Sequence, residues 1–121
     1  MRRHQIDSGE SGRRDWLLER GTALILMVLV PWLGLHLAFL PGLHRADLVE
    51  WLESPLKAIG LATLILTTLI HASLGLRSIL MDYISTPSLR GFSLLITRSV
   101  LVVSAVIGLG ALWVLHHGVG A

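Results

Sequence analysis

Three long stretches without a charged residue divide the chain. They run from Gly21 to His44, from Ala58 to Leu76 and from Ser99 to Ala121, and they contain 24, 19 and 23 residues. An α-helix rises about 1.5 Å per residue, so about 20 apolar residues cross the hydrocarbon core of a bilayer. The pattern therefore predicts an all-α integral membrane protein with three transmembrane helices.

The start of the first helix is predicted from its polar flank. Residues 1–14 are rich in charged and small residues, so we expect a flexible or surface-lying segment there. Asp15 is a suitable N-cap, and the helix is expected at about residues 16–40. Pro31 lies inside this range and predicts a kink, since proline removes one backbone hydrogen bond.

Proline also marks the next two helices. Ser54-Pro55 combines an N-cap with proline at the first helical position, which predicts a helix at 55–83. The Thr86-Pro87-Ser88 sequence is a second breaker, and it predicts a third helix at 88–117. The length of 121 residues allows a single membrane domain covering 1–121.

Composition narrows the class further. Hydrophobic residues make up 53% of the chain and charged residues only 15%, against about a quarter in ordinary soluble domains. This balance excludes a soluble domain and a disordered chain. Cysteine is absent, which excludes disulfides, thiolate-held iron–sulfur clusters and a catalytic thiol within this chain.

The arginines predict the orientation in the membrane. Five lie before the first apolar stretch, and Arg77 and Arg90 flank the second connection, whereas acids offset Arg45 and Lys57 in the first. The N-terminus and second connection should therefore face the cytoplasm and the C-terminus the periplasm. Acids in the N-terminal segment are unlike a mitochondrial presequence, which favours a bacterial inner membrane. The net charge of +2 then reflects topology, and no nucleic-acid partner is expected.

One face of the second helix carries small and polar residues. We call it the polar stripe, and it consists of Gly60, Thr67, His71, Gly75, Ser78 and Asp82. At 100° per residue these positions fall within about 40° of one line. The stripe is either a packing seam between helices, or the site at which His71 is an axial haem ligand and Gly75 gives the porphyrin clearance.

Asp82, Tyr83 and Arg20 lie near the helix ends, and each has two possible interpretations. Asp82 and Tyr83 are either a helix end with a belt aromatic, or a proton donor and hydrogen-bond partner for a quinone. Arg20 is either an interface anchor or the partner of a haem propionate or quinone pocket. Trp51 suits the interface belt. The role of His36 stays open, because its depth does not obviously match that of His71.

These residues together resemble a known family. The chain resembles the hydrophobic membrane anchor, or D-type subunit, of succinate dehydrogenase (succinate:quinone oxidoreductase, respiratory complex II). The stretch from Asp15 to Ala23 is similar to the family's Arg-x-Thr-Ala start of helix one, and His71 with Gly75 matches its His-x-x-x-Gly haem-ligand stretch. Asp82-Tyr83 matches its quinone-site pair at the end of helix two.

The resemblance implies a role within an electron-transport complex. The chain would be half of a heterodimeric anchor bundle that shares one haem b with a C-type, cytochrome b-like subunit. An iron–sulfur subunit and a flavoprotein subunit would dock on the cytoplasmic side, and electrons from succinate would reach ubiquinone. The resemblance makes His71 the haem iron ligand and makes Tyr83 and Asp82 the quinone-site residues. Arg20 would lie near the propionates or the quinone pocket.

Two further functions remain as alternatives. The resemblance implies that the chain has no catalytic residue and no activity on its own. The first alternative is a haem-free structural anchor of a fumarate reductase-like complex, in which the polar stripe only packs helices. The second is a small transporter with His71 and Asp82 in a proton path, which the lack of paired charges and inverted repeats disfavours.

Overall fold

Four helices make up the protein. The computed structural model describes the backbone of residues 2–118 and the side chains of residues 9–118. The helices are α1 (Arg2–Ala38), α2 (Arg45–Leu52), α3 (Pro55–Tyr83) and α4 (Pro87–His116). No strand occurs in the described backbone, and the predicted all-α class is confirmed.

Three of the helices are long and apolar enough to cross a membrane. The spans Gly9–Ala38, Pro55–Tyr83 and Pro87–His116 contain 30, 29 and 30 residues, with mean hydropathies of 1.9, 1.8 and 2.1. Their lengths of about 45 Å exceed the hydrocarbon core of about 30 Å. Only 6–11% of the residues in their most apolar windows are buried within the chain, so these surfaces need lipid or partner subunits.

The N-terminal part of α1 differs from the prediction. The helix begins at Arg2 and ends at Ala38, and Asp15 lies inside it rather than capping its start. No proline precedes Pro31, and a glycine such as Gly12 costs a helix only about 1 kcal/mol. No residue of the polar segment therefore ends the helix, which extends from the apolar stretch toward the N-terminus as far as Arg2.

The first connection contains a helix that the sequence pattern did not predict. The backbone N–H of His44 donates to Asp47 Oδ2 at 3.1 Å at the start of α2. Trp51 and Leu52 are 6% and 2% exposed and pack against Leu112 of α4. Trp51 was expected in the interface belt, but it belongs to this small core, because α2 folds back under the ends of the long helices.

A histidine connects α4 to this core. The Nδ1–H of His116 donates to the backbone carbonyl of Leu52 at 2.6 Å. The partly buried Trp32 of α1 packs against the same cluster. One end of the molecule is therefore held by α2, which joins all three long helices.

Helix α3 lies between the other two spans. Both α1 and α4 pack on α3, whereas α1 and α4 do not contact each other within the described residues. The contact of α3 with α1 requires a glycine, because a Cβ on Gly60 would lie 2.6 Å from Trp32. On the other side, a Cβ on Gly108 of α4 would lie 3.5 Å from Ile65, an ordinary van der Waals distance. The spans form an open arrangement around α3 rather than a closed bundle.

An ion pair marks the other end of the molecule. Arg77 Nη1 of α3 lies 3.4 Å from Asp15 Oδ2 of α1. Both side chains are about half exposed, so the pair contributes at most about 1 kcal/mol. It places the N-terminal part of α1 beside the C-terminal end of α3, and the basic residues gather there. They are Arg13, Arg14, Arg20, Arg77, Arg90 and Arg98.

The contact between Gly60 and Trp32 gives a test of this packing. We expect Gly60→Ala to destabilise the protein by about 1–3 kcal/mol, the usual effect of overpacking. The added methyl group must displace the Trp32 ring, which is already in contact with His36 and Trp51. The midpoint of thermal unfolding in detergent, followed by tryptophan fluorescence, should fall by several degrees.

Gly34 provides the matched control. A Cβ at this position of α1 would meet no atom within 4 Å. Gly34→Ala should therefore leave the unfolding midpoint unchanged or raise it slightly, because alanine favours the helix. Equal effects of the two substitutions would contradict the close packing of α1 on α3.

Candidate functional site

His71 is joined to α1 by a hydrogen bond. Its Nδ1 lies 2.9 Å from Oγ1 of Thr22, which is only 7% exposed. The Thr22 hydroxyl also lies 2.8 Å from the carbonyl oxygen of Leu18 and 3.1 Å from that of Glu19. The two residues meet in the middle of the α1–α3 contact, where His71 is half-buried.

The position of the Thr22 hydroxyl hydrogen sets the direction of this bond. The hydroxyl lies within hydrogen-bond distance of the Leu18 carbonyl, which can only accept, and of His71 Nδ1, which donates or accepts according to the ring tautomer. With the hydrogen on the Leu18 carbonyl, Thr22 Oγ1 accepts from Nδ1–H, and the neutral ring has an unprotonated Nε2 whose lone pair can bind a metal ion. With the hydrogen on Nδ1, the neutral ring carries its proton on Nε2.

The space beside His71 is open on one side. Gly75 lies one turn further along α3, and a Cβ there would meet no atom within 4 Å. A flat macrocycle bound at Nε2 needs such clearance, so these residues fit the axial ligand site of a haem. No group of three or more histidine, cysteine or carboxylate side chains that could hold a metal ion occurs among residues 9–118. An axial ligand needs only one.

Part of the polar stripe is a packing seam. Gly60 receives the Trp32 ring of α1, Thr67 is 6% exposed, and His71 bonds to Thr22. These contacts turn the stripe toward α1. The two readings of the stripe are thus compatible at His71, because one ring nitrogen serves the seam and leaves the other available.

Asp82 lies in a small pocket at the basic end of the molecule. The pocket has a volume of about 280 Å³ and lies between α1 and α3. Its lining residues are Asp15, Glu19, Leu74, Arg77, Ser78, Met81 and Asp82. Three carboxylates and one guanidinium therefore share one water-accessible space, an arrangement that can pass protons between neighbouring groups.

Tyr83 is not part of this pocket. It is the last residue of α3 and is 83% exposed, whereas Asp82 lines the pocket. Successive residues of a helix point about 100° apart, which separates the two side chains. The predicted pair is adjacent in sequence, but this chain alone does not bring both groups into one cavity.

Arg20 is on another side of α1. Its guanidinium carbon lies 5.8 Å from the centroid of the Trp16 ring, a cation–π contact on the exposed surface. Arg20 is two residues before Thr22, which places it about 160° around the helix from the residue that bonds His71. The structure therefore does not bring Arg20 and His71 together.

His36 cannot share an iron with His71. It lies fourteen residues after Thr22 on α1, a rise of about 21 Å. Its Nδ1 is 2.9 Å from the carbonyl oxygen of Trp32, and its ring packs near Trp51 at the opposite end of the molecule. The doubt about its depth is thereby resolved, because the two histidines are far apart along the spans.

The contact of Thr22 with His71 was not predicted from the sequence. Thr22 belongs to the Arg-x-Thr-Ala stretch on which the resemblance rests, but threonine in a helix usually bonds its own backbone. Here the hydroxyl lies within hydrogen-bond distance of the Leu18 carbonyl and also of His71 Nδ1. Periodicity places Thr22 on the same face as Asp15, which is a weak signal without the position of α3.

The chain is similar in sequence to known membrane subunits. The sequence model of the succinate dehydrogenase/fumarate reductase transmembrane subunit family matches residues 8–111. Three curated relatives are each described as a succinate dehydrogenase hydrophobic membrane anchor subunit. They come from Rickettsia bellii (37% identical), Rickettsia conorii (31%) and Rickettsia felis (28%).

The matches extend over most of each protein. They cover 69%, 82% and 82% of this chain and 66%, 79% and 82% of the three relatives. The matched range, residues 8–111, includes most of α1, all of α2 and α3, and most of α4. From its three spans and this match, the chain belongs to the family of succinate dehydrogenase/fumarate reductase transmembrane subunits.

Proposed function

We propose that this membrane anchor contributes one axial ligand to a haem b, through Nε2 of His71. The observation that carries the proposal is the hydrogen bond between His71 and Thr22, because it occupies Nδ1 and leaves Nε2 as the ring nitrogen for iron. In the proposed tautomer Nδ1–H donates to the Thr22 hydroxyl and Nε2 is unprotonated. The open space at Gly75 supports it. When bound, the haem would supply a site that accepts and releases one electron at a time.

The residues of this chain would orient that ligand. In the proposed tautomer Thr22 accepts the hydrogen bond from Nδ1–H, which fixes the ring plane and raises the basicity of Nε2. Thr22 is itself fixed by its bond to the Leu18 carbonyl. The ring of His71 is therefore held in one orientation before any iron is bound. Binding iron then causes little further loss of side-chain conformational entropy.

The rest of the haem site would come from a partner subunit. This chain offers one histidine at the depth of Thr22, and the next described histidine on α1 is about 21 Å away. Helices α1 and α4 leave most of their surfaces uncovered. We propose a C-type, cytochrome b-like anchor subunit on these surfaces. Iron–sulfur and flavoprotein subunits would dock at the basic end, on the cytoplasmic side of a bacterial inner membrane.

A quinone site is proposed at the end of α3. Tyr83 is 83% exposed, so its phenol O–H is available to donate to a ubiquinone carbonyl oxygen. Asp82 would pass protons from the pocket that it shares with Asp15 and Glu19. His71 and Asp82 are eleven residues apart, a rise of about 16 Å. Electrons from succinate could thus reach haem and quinone on one helix.

For Arg20 we propose the same two alternatives that the resemblance implies, a contact with a haem propionate or a place in the quinone pocket. Its distance from the Thr22 face of α1 favours a partner outside the immediate surroundings of His71. The contact with Trp16 holds the guanidinium at the basic end, where a haem propionate or a quinone headgroup would meet it.

A second candidate function is a haem-free structural anchor, as in a fumarate reductase-like complex. The packing of Gly60 on Trp32 and the burial of Thr67 favour it, since both belong to the polar stripe. In that case the bond between His71 and Thr22 would only join two helices. The two candidates differ in whether Nε2 of His71 binds iron.

We expect His71→Ala to abolish or strongly alter the b-type haem signal. The measurement is a reduced-minus-oxidised visible spectrum of the purified complex, because the substitution removes the iron ligand. His36→Ala is the matched control and should leave the spectrum unchanged, since His36 bonds to Trp32 at the other end of the molecule. A complex without haem, or a spectrum that His71→Ala leaves intact, would contradict ligation and favour the structural anchor.

We expect Thr22→Val to raise the midpoint potential of the haem and weaken haem retention by about tenfold or more. Valine has nearly the shape of threonine but cannot accept the Nδ1–H bond, so Nε2 becomes a poorer donor to ferric iron. An optical redox titration measures the shift. Thr22→Ser retains the hydroxyl and should restore the wild-type potential, and a potential that Thr22→Val leaves unchanged would refute this role.

We expect Tyr83→Phe to lower the quinone reductase activity about tenfold and to raise the KM for ubiquinone, through the loss of one hydrogen bond. Succinate oxidation with a soluble dye should be unaffected, because the dye accepts electrons before the quinone. Phe92, exposed like Tyr83 but on α4, offers the control Phe92→Leu. Unchanged quinone kinetics in Tyr83→Phe would remove Tyr83 from the site.

A further inference from the structure

Arg98 is a charge at the edge of the third apolar stretch. It lies eleven residues after Pro87, a rise of about 16 Å along α4, and directly precedes the uncharged run that begins at Ser99. The residue is exposed, and among residues 9–118 it forms no hydrogen bond or ion pair. A guanidinium at the edge of the hydrocarbon core is within reach of lipid headgroups, so its surroundings decide what it binds.

A cleft between α3 and α4 surrounds this side chain. Its volume is about 440 Å³. The lining residues are Ser73, Arg77, Gly91, Leu94, Leu95, Thr97 and Arg98. Two guanidinium groups and two hydroxyls give the cleft a polar wall, and two leucines give it an apolar one. A ligand that fills it has an anionic part and a hydrocarbon part.

The residues that line the cleft do not include a carboxylate that would balance its positive charge. Arg77 pairs with Asp15 at 3.4 Å through one nitrogen, and its guanidinium has further N–H groups. The carboxylates of Glu19 and Asp82 line the neighbouring pocket rather than this cleft. Arg98 therefore adds a charge that no residue of the cleft neutralises.

The cleft is separate from the proposed haem and quinone positions. On α3, Ser73 and Arg77 are about 160° and 120° around the helix from His71. The polar stripe faces α1, whereas the cleft lies between α3 and α4. A ligand in the cleft would thus occupy a different side of α3 from one bound at His71.

We propose that this cleft binds the phosphate group of an anionic phospholipid. The planar guanidinium fork of an arginine matches two phosphate oxygens, and Ser73 and Thr97 add hydroxyl donors. Leu94 and Leu95 accommodate the start of an acyl chain. The cleft is at the basic end of the spans, the end that faces the anionic leaflet in the predicted orientation.

Lipid-dependent stability tests the proposal. The full chain, with the subunits that co-purify, is stripped of lipid in detergent. Its thermal unfolding is then followed with added phosphatidylglycerol, phosphatidylcholine or inorganic phosphate. Phosphatidylglycerol should raise the unfolding midpoint, because a ligand that binds the folded state stabilises it. Phosphatidylcholine and inorganic phosphate should have little effect.

Substitutions of arginine locate the effect. Arg98→Gln should weaken phosphatidylglycerol binding by about tenfold, the loss of one charge-assisted hydrogen bond. Arg98→Lys retains the charge without the fork and should give an intermediate value, which also guards against a failure of Arg98→Gln to fold. Arg13→Gln removes the same charge from an exposed position of α1 outside the cleft and should bind as the wild type does.

Three results would overturn the proposal. The first is phosphatidylglycerol binding that Arg98→Gln leaves unchanged. The second is equal stabilisation by inorganic phosphate, which would assign the cleft to a free anion. The third is loss of a co-purified subunit from Arg98→Gln with lipid retention intact, which would identify a partner carboxylate as the ligand. None of these results depends on haem, so the test is independent of His71.

Discussion

The hydrogen bond between Thr22 and His71 connects the packing of the protein to its chemistry. It joins α1 to α3 within the apolar part of both spans, where water cannot replace a missing partner. The Thr22 hydroxyl is also within hydrogen-bond distance of the Leu18 carbonyl, so a single oxygen contacts the backbone of α1 and the ring of His71 on α3. The helix contact thereby restricts the position of the His71 ring. A change in the distance between α1 and α3 would alter both the seam and the surroundings of that ring.

The bilayer explains why so open an arrangement is a stable fold. The hydrophobic effect does not drive helices together inside a bilayer, because lipid already surrounds their apolar surfaces. Close packing at small residues and hydrogen bonds between helices must therefore hold them together. Gly60 provides the close contact of α3 with α1, where the Trp32 ring lies in the space of a side chain. The small core of Trp51, Leu52 and Leu112 closes only one end. At the other end the surfaces stay uncovered, which is where a subunit of a larger complex would be expected to meet its partners.

The sequence predicted the spans well because a bilayer demands long apolar helices, and proline defined two of their starts at Pro55 and Pro87. It did not predict α2, whose eight residues are too few for a periodic signal and include three charges. The helical N-terminal segment was missed because its polar residues predicted a flexible or surface-lying segment, although no residue there breaks the helix. Within the site, His71 was found from its depth in a span. Thr22 was not, because its partner lies 49 residues away.

Arg77 shows how one side chain can separate two functions on a single helix. It lines the acidic pocket with Asp82 and also the cleft with Arg98. Its bond to Asp15 draws its charge toward the pocket. With Arg77 engaged in this way, an anion in the cleft depends mainly on Arg98, which has no carboxylate near it in the described chain. The two arginines are therefore not equivalent. Removing Arg77 would disturb the carboxylates beside Asp82 as well as the cleft, whereas removing Arg98 changes the cleft alone.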